Sequence, residues 1–154
     1  FRHILAENKY NAVITLDADG EHDPSYIFEL LKHFHQGADI VIGIRHKFNR
    51  ISETHASNLF NFMYEIKDPL CGMRIYSTKF LYEYLEEYKK LYLGTLPLKF
   101  AVKNKYSTKQ IEMRVNKRQD RSRFGSSFKG NIRVYCGVFL CILQVVRRRK
   151  VICN

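Results

Sequence analysis

The sequence lacks a Cys-x-x-Cys pair, a signal peptide and an apolar segment long enough to cross a membrane. Its four cysteines lie mainly among apolar residues, which argues against a zinc site or a disulfide framework and favours a reducing, cytosolic environment. The longest mostly apolar run, residues 134–146, has 13 residues, whereas a membrane-spanning helix needs roughly 20. Internal repeats, low-complexity tracts and linkers are absent as well.

Acidic residues are scarce in the C-terminal third of the chain. Residues 99–150 contain 15 lysines and arginines but only Glu112 and Asp120 as acids, so this third carries a charge of +13. The remainder of the chain carries −2, which gives the net charge of +11. Such a basic field can attract nucleic acid, an anionic membrane or a phosphorylated small molecule. Charge alone does not choose among these partners.

The chain has the size and the pattern of one α/β domain. Its 154 residues are 45% hydrophobic, enough for a real core, and they begin at Phe1 without an initiator Met, so we expect a fragment of a longer protein. Apolar runs typical of buried strands alternate with segments of helical periodicity. Strands are predicted at 12–17, 39–44, 71–77 and 109–115, and helices at 24–36, 52–66 and 78–88, with an unassigned segment at 96–104. This alternation favours a mostly parallel sheet flanked by helices.

Two aspartates follow the first predicted strand in VITLDADGEHDP, residues 13–24. Asp17 and Asp19 are two apart, so in extended chain both point to the same side, at the edge where open α/β sheets bind ligands. A divalent cation would remove their mutual repulsion, and oxygen ligands favour Mg²⁺ or Mn²⁺. Glu21 and His22 can complete the shell or its second layer. The alternative is a solvated acidic turn, with Asp23 capping the next helix in either case.

Two other families share part of this aspartate pattern. An EF-hand loop starting at Asp17 requires Gly and Glu where this chain has His22 and Phe28. A phosphatase of the haloacid dehalogenase type has Asp-x-Asp-Gly after a strand. It would need Thr or Val at the position of Glu21 and a later acidic pair at a strand end, which the sequence does not offer, so this phosphatase family is the weaker alternative.

Four motifs together resemble glycosyltransferase family 2, which has the GT-A fold, in its polyprenyl-phosphate branch similar to dolichyl-phosphate mannose synthase. They are VITLDADGEHDP (13–24), GADIVIGIR (37–45), DPLCGMRIYS (68–77) and RSRFGSSFK (121–129). The resemblance is to the C-terminal part of such a catalytic domain, without the N-terminal repeat that holds the nucleobase and ribose in the family. It implies a catalytic domain at 1–130 and an apolar, basic helix at 131–154.

The resemblance implies metal-dependent transfer of a sugar, with inversion, from a UDP- or GDP-linked donor to a polyprenyl phosphate or a glycan. Mg²⁺ or Mn²⁺ held by Asp17, Asp19 and Glu21 would bridge the diphosphate and stabilise charge on the leaving group. Arg45 would bind phosphate, although it can also pair with a carboxylate such as Asp39. Asp68 would lie near the acceptor and act as a base, or it is simply part of a turn. We expect Arg74 on the strand surface.

A basic segment near the C-terminus supplies further candidates for phosphate binding, namely Arg121, Arg123, Ser127 and Lys129. Grouped around a glycine, they form a flexible loop that can close over phosphate, or a merely solvated basic loop. The spacing departs from the family, because the arginines stand two and four residues before Gly125 and the lysine comes one place late. Which arginine contacts phosphate therefore stays open.

The tail, residues 131–150, joins an apolar helix to four consecutive cations. It can lie on an anionic membrane, or it can pack as a core helix whose cationic end suits the helix dipole. Because lipid-phosphate acceptors are common in the family, we expect a cytoplasmic protein associated with the cytoplasmic face of a membrane.

Two alternatives to an active transferase stay open. The basic third can bind nucleic acid, with Tyr106, Phe124 and Phe128 as stacking residues, but this hypothesis leaves Asp17 and Asp19 unexplained and no nucleic-acid motif supports it. The other is a catalytically inactive fragment that keeps the fold.

Overall fold

The computed structural model describes residues 5–7, 9–88, 94–116 and 127–148 of the chain. These residues include four strands and five helices. Their bounds are β1 (Ala12–Thr15), α1 (Tyr26–His35), β2 (Ile40–Arg45), α2 (Ile51–Tyr64), β3 (Arg74–Ser77), α3 (Thr78–Glu87), α4 (Leu96–Lys103), β4 (Thr108–Met113) and α5 (Ser127–Arg148). The four predicted strands are confirmed, and the unassigned segment at 96–104 contains the helix α4.

The four strands form one sheet in the order β1-β3-β2-β4. β2 pairs with β4 in parallel, whereas β3 pairs with β1 and β2 in antiparallel. Three strands therefore share one direction, and β3 runs against them between two of them. As a result, the residues that lead into β3 lie at the same edge of the sheet as the residues that follow β1, β2 and β4.

Both faces of the central strands β3 and β2 are buried, which explains the uninterrupted apolar run of β2. Ile40 and Ile42 face a core cluster that contains Phe60 and Phe80, while Val41 faces a second cluster. The first cluster is covered by α2, α3, α4 and α5, and the second by α1. The fold is a three-layer α/β arrangement.

The start of α1 differs from the sequence prediction. Asp23 does not cap the helix. Its Oδ1 accepts the backbone N–H of Ser25 at 2.9 Å, which forms a local turn, and the helix begins at Tyr26. The start of α3 is capped in the expected way, since the Ser77 hydroxyl accepts the N–H of Phe80 at 3.1 Å.

Helix α5 begins at Ser127, so the expected boundary after residue 130 falls within it. One side of the helix belongs to the core, where Val138 and Cys141 are buried. The buried Lys99 ammonium donates to the backbone carbonyls of Cys141 and Ile142 at 2.9 and 3.1 Å. No helix in the described part of the chain is long and apolar enough to cross a membrane.

Candidate functional site

The candidate residues meet at one edge of the sheet because of the strand directions. Asp17 follows β1, Arg45 ends β2, and the segment from Asp68 to Gly72 leads into β3. On the side of β4, His22 forms an isolated bridge with Val115, and the Asn116 N–H donates to the Glu21 carbonyl at 2.9 Å. The loop after β1 is thus fixed to the residues that follow β4.

The Asp17 side chain is 58% exposed, so a ligand can reach its carboxylate. Its backbone N–H donates to Nδ1 of His22 at 3.4 Å, and its Oδ2 lies 4.0 Å from the same nitrogen. On the opposite side it rests on Gly72, where a β-carbon would lie 2.2 Å from Oδ2. The carboxylate is therefore both accessible and closely supported.

Asp19 and Glu21 have different surroundings. Oδ1 of the half-buried Asp19 accepts the Glu21 N–H at 3.1 Å across a bend at Gly20, whose φ is +77°. Glu21 is buried, and its Oε1 accepts from Nδ2 of Asn49 at 3.0 Å. Among the described residues, no group of three or more His, Cys, Asp or Glu side chains could hold a metal ion.

Arg45 and Asp68 are buried and contact each other. Nε and Nη2 of Arg45 donate to the two carboxylate oxygens of Asp68 at 2.8 and 3.1 Å, and Nη1 donates to Glu53 at 3.4 Å. The N–H groups of Arg45 and Leu70 donate to Asp68 at 3.1 and 3.2 Å, so this fully buried carboxylate accepts four hydrogen bonds.

The suggested pairing of Arg45 with Asp39 is wrong. Asp39 lies at the other end of β2, where its carboxylate accepts the Ser107 N–H at 3.1 Å. Burial lowers the pKa of the Arg45 guanidinium, but the hydrogen bonds and negative charge of Asp68, together with Glu53, raise it by more. The net effect is a raised pKa, so Arg45 is a permanent cation at this edge.

Arg74 is buried, which contradicts its expected place on the strand surface. Nη2 donates to the Pro69 carbonyl at 2.7 Å, and Nη1 donates to the Gly94 carbonyl at 2.8 Å. Arg74 thus ties the segment before β3 to the segment before α4, and its role is structural.

The structure describes only part of the basic segment. Arg121 and Arg123 lie outside the described residues, and Ser127 and Lys129 belong to the first turn of α5. Of the aromatic residues considered for nucleic-acid stacking, Tyr106 packs against the rings of Phe80 and Phe100 and donates its hydroxyl hydrogen to Glu83. Phe128 is exposed, and Phe124 lies outside the described residues.

Sequence reasoning missed Gly72, Cys71 and Glu53 at this edge. An isolated glycine inside a strand-like pattern signals a close approach of other atoms, so CGMR contained a sign of the Gly72 contact. Nothing in the sequence links Glu53 to Arg45, because that contact depends on how α2 packs beside β2.

The family model described as Glycosyl transferase family 2 matches residues 1–76, just under half of the chain. The match includes the two aspartates after β1 and the pair of Arg45 and Asp68. No curated protein matches the chain.

Solved structures match more of the chain at low sequence identity. Glucosyl-3-phosphoglycerate synthase from Mycobacterium tuberculosis, in complex with phosphoglyceric acid, matches with a TM-score of 0.60 and 17% identity, over 88% of this chain and 52% of that chain. The same enzyme with Mn²⁺, UDP-glucose and glycerol 3-phosphate matches with a TM-score of 0.57 and 16% identity, over 92% and 51%. A further mycobacterial protein matches with a TM-score of 0.59 and 16% identity, over 91% and 48%. The chain spans about half the length of these structures and has the GT-A fold.

Proposed function

We propose that the chain is part of a glycosyltransferase that uses a nucleotide diphosphate sugar and a divalent cation. The observation that carries this proposal is the accessible carboxylate of Asp17, followed by Asp19, at the carboxyl edge of a GT-A sheet. The family match covers both aspartates, and the mycobacterial enzyme of the same fold was crystallised with Mn²⁺ and UDP-glucose.

Asp17 and Asp19 fit a hard cation that takes its remaining ligands from the substrate. Mg²⁺ and similar ions are commonly held by one or two carboxylates plus substrate phosphates, so two aspartates can suffice. When bound, the cation supplies charge stabilisation to the departing diphosphate. Glu21 would act behind them, through its hydrogen bond to Asn49 and its backbone link to Asp19.

Arg45 is proposed to serve the donor phosphates, assisted by Arg121, Arg123, Ser127 and Lys129. In the free chain Asp68 occupies its guanidinium with two parallel hydrogen bonds, and phosphate oxygens can make the same two bonds. Donor binding would therefore compete with Asp68 for Arg45. An Asp68 released in this way can accept the proton of an acceptor hydroxyl, whereas an ionised phosphate acceptor needs no strong base.

For the acceptor we propose a polyprenyl phosphate, with inversion at the sugar carbon, on the strength of the four motifs. The mycobacterial enzyme was crystallised with phosphoglyceric acid and glycerol 3-phosphate, which are also phosphate monoesters. Incubation with a labelled sugar donor, and with either polyprenyl phosphate in vesicles or 3-phosphoglycerate as the acceptor, distinguishes the two kinds of acceptor. Label in the lipid phase supports the proposal, and label only in the aqueous product overturns it.

A lipid acceptor requires contact with a membrane, and α2 and α5 offer a surface for it. The two helices lie side by side, because Ser52 donates to Asn131 at 2.6 Å and His55 contacts Tyr135 at 2.6 Å. The outer sides of these helices, termed the α2–α5 surface, expose the side chains of Ile51, Leu59, Phe62, Met63, Phe128, Ile132, Tyr135, Phe139 and Leu140. The only acid on either helix is Glu53, which is buried, so the surface suits the cytoplasmic face of an anionic membrane.

Calorimetry of UDP and GDP binding, with and without Mn²⁺, tests the donor site. We expect binding that requires Mn²⁺ and is lost in Asp17→Asn and Asp19→Asn. Asp23→Asn is the matched control, because Asp23 is an exposed carboxylate nearby whose local turn asparagine preserves. Binding that is equal in all variants and independent of metal would overturn the assignment of the two aspartates.

A further inference from the structure

Gly72 is a glycine because Asp17 occupies the space of its side chain. A β-carbon on Gly72 would lie 2.2 Å from Oδ2, 2.5 Å from Cγ and 2.6 Å from Oδ1 of Asp17. Among the described glycines, positive φ occurs at Gly20 and Gly37 and not at Gly72, so the backbone itself does not require glycine there. The carboxylate of Asp17 therefore lies directly on the backbone of the segment that leads into β3.

His22 fixes the other side of Asp17. The imidazole is buried, and its Nδ1 accepts the Asp17 N–H at 3.4 Å. In a neutral imidazole the proton is then on Nε2, which lies 3.7 Å from Sγ of Cys71.

Cys71 completes this chain of contacts. Its Sγ lies 3.9 Å from the Met73 carbonyl oxygen. Burial, followed by the charge of Asp68, raises the pKa of the Cys71 thiol to about 12, so the sulfur keeps its hydrogen and can donate to Met73 while it accepts from His22. The contacts run from Met73, just before β3, through Cys71 and His22 to the backbone of Asp17.

We propose that His22, Cys71 and Gly72 are positioning residues that hold the Asp17 carboxylate in the direction required for a divalent cation. This inference rests on the proposed function, because it assigns the three residues to the same metal site. Their proposed role needs no contact with the substrate. They act through Asp17, in the way that residues behind a metal ligand fix its orientation.

A double-mutant cycle of urea unfolding tests the Gly72 contact in the free protein. Gly72→Ala should lower the unfolding midpoint, and the same change in an Asp17→Ala background should cost much less, because the obstructing carboxylate is gone. Gly94→Ala is the control, since a β-carbon there meets nothing within 4 Å. An equal cost of Gly72→Ala in both backgrounds would overturn the contact. If Gly72→Ala does not fold, folding of the double variant supports the proposal and its failure to fold overturns it.

Mn²⁺-dependent UDP binding tests the effect on the site. His22→Leu should weaken binding on the order of 10-fold to 100-fold, the usual effect of losing a residue behind a metal ligand. His22→Asn should restore most of it, because the asparagine side chain can present an acceptor where Nδ1 lies. Equal affinity in His22→Leu and the unmodified chain would show that His22 only fills the core. Absence of metal-dependent binding in the unmodified chain would reject the proposed function, while the unfolding cycle would still decide the role of Gly72.

Discussion

At the scale of single residues, the pair of Arg45 and Asp68 combines two charges that are both removed from water. Taking ions out of water is costly, and hydrogen bonds and mutual attraction repay this cost only while both partners are present. The pair is thus a fixed feature of the free chain, and each residue depends on the other. A donor phosphate that binds Arg45 must replace the two side-chain hydrogen bonds and the negative charge that Asp68 provides.

Replacement of Asp68 by alanine should therefore strongly destabilise the protein. We expect a loss of about 3–5 kcal/mol in the free energy of unfolding, because Arg45 would stay buried with Glu53 alone as its counter-charge. Urea denaturation measures this loss. The control is Lys103→Ala, which removes an exposed ion pair with Glu87 at 3.9 Å and should cost at most about 1 kcal/mol. Similar losses in the two variants would show that the buried Arg45 does not depend on Asp68.

The cysteines should differ in reactivity according to their burial. Cys136 is exposed, whereas Cys71 and Cys141 are buried, and burial raises the pKa of both buried thiols. Alkylation proceeds through the thiolate, so at pH 8 iodoacetamide should modify Cys136 in the folded protein and leave the buried pair unmodified. Peptide mapping by mass spectrometry distinguishes the sites. Unfolding in urea should make all of them react, and rapid labelling of Cys71 in the folded chain would contradict its burial.

At the scale of elements, two glycines of α5 should respond differently to alanine. Both stand inside a helix, where alanine is favoured over glycine by about 1 kcal/mol. A β-carbon at Gly137 meets nothing within 4 Å, so Gly137→Ala should stabilise the protein by about 0.5–1 kcal/mol.

A β-carbon at Gly130 would lie 2.8 Å from Nε of Arg50. Nη1 of the same arginine donates to Glu53 at 2.9 Å. Gly130→Ala must displace the Arg50 side chain, so it should give no stabilisation or should destabilise the protein. Thermal unfolding of the two variants side by side measures the difference. Equal stabilisation by both would show that α5 does not press on Arg50.

Elements with a local signal were predictable from the sequence, and contacts made by the sheet order were not. Both faces of β2 are covered, so its residues form a continuous apolar run that predicts a buried strand at 39–44. The two aspartates after β1 could be recognised because their motif is continuous in the sequence. The pairing of Arg45 with Asp68 depends on the antiparallel course of β3. Arg74 is buried because β3 lies between β1 and β2, whereas alternation alone would assign it to the surface.

At the scale of the whole molecule, charge and apolar exposure are distributed unequally. The net charge is +11, and α2 and α5 have no exposed acid among the residues whose side chains are described. Large apolar side chains are exposed on the same helices, including Phe62 at 89% and Phe139 at 61%. Exposed apolar groups of this extent usually mark an interaction surface, and cations beside them favour an anionic partner.

Vesicle sedimentation tests whether this partner is a membrane. We expect the chain to bind vesicles that contain phosphatidylserine and not vesicles of phosphatidylcholine alone, since each basic residue near an anionic surface contributes about 1 kcal/mol. Higher salt should weaken the binding because it screens these charges. The double variant Phe62→Ser and Phe139→Ser should bind less. Phe28→Ser is the matched control, because Phe28 is 77% exposed but belongs to α1, on the other face of the sheet.

The same measurement separates a membrane from nucleic acid as the partner of the basic region. A membrane surface requires the apolar side chains as well as the cations, so the double serine variant should lose affinity at constant net charge. A nucleic-acid surface requires mainly the cations, with a steep dependence of oligonucleotide affinity on salt. Salt-dependent binding of a single-stranded oligonucleotide that is unchanged in the double serine variant and in Asp17→Asn, without binding to anionic vesicles, would overturn the membrane proposal and favour nucleic acid.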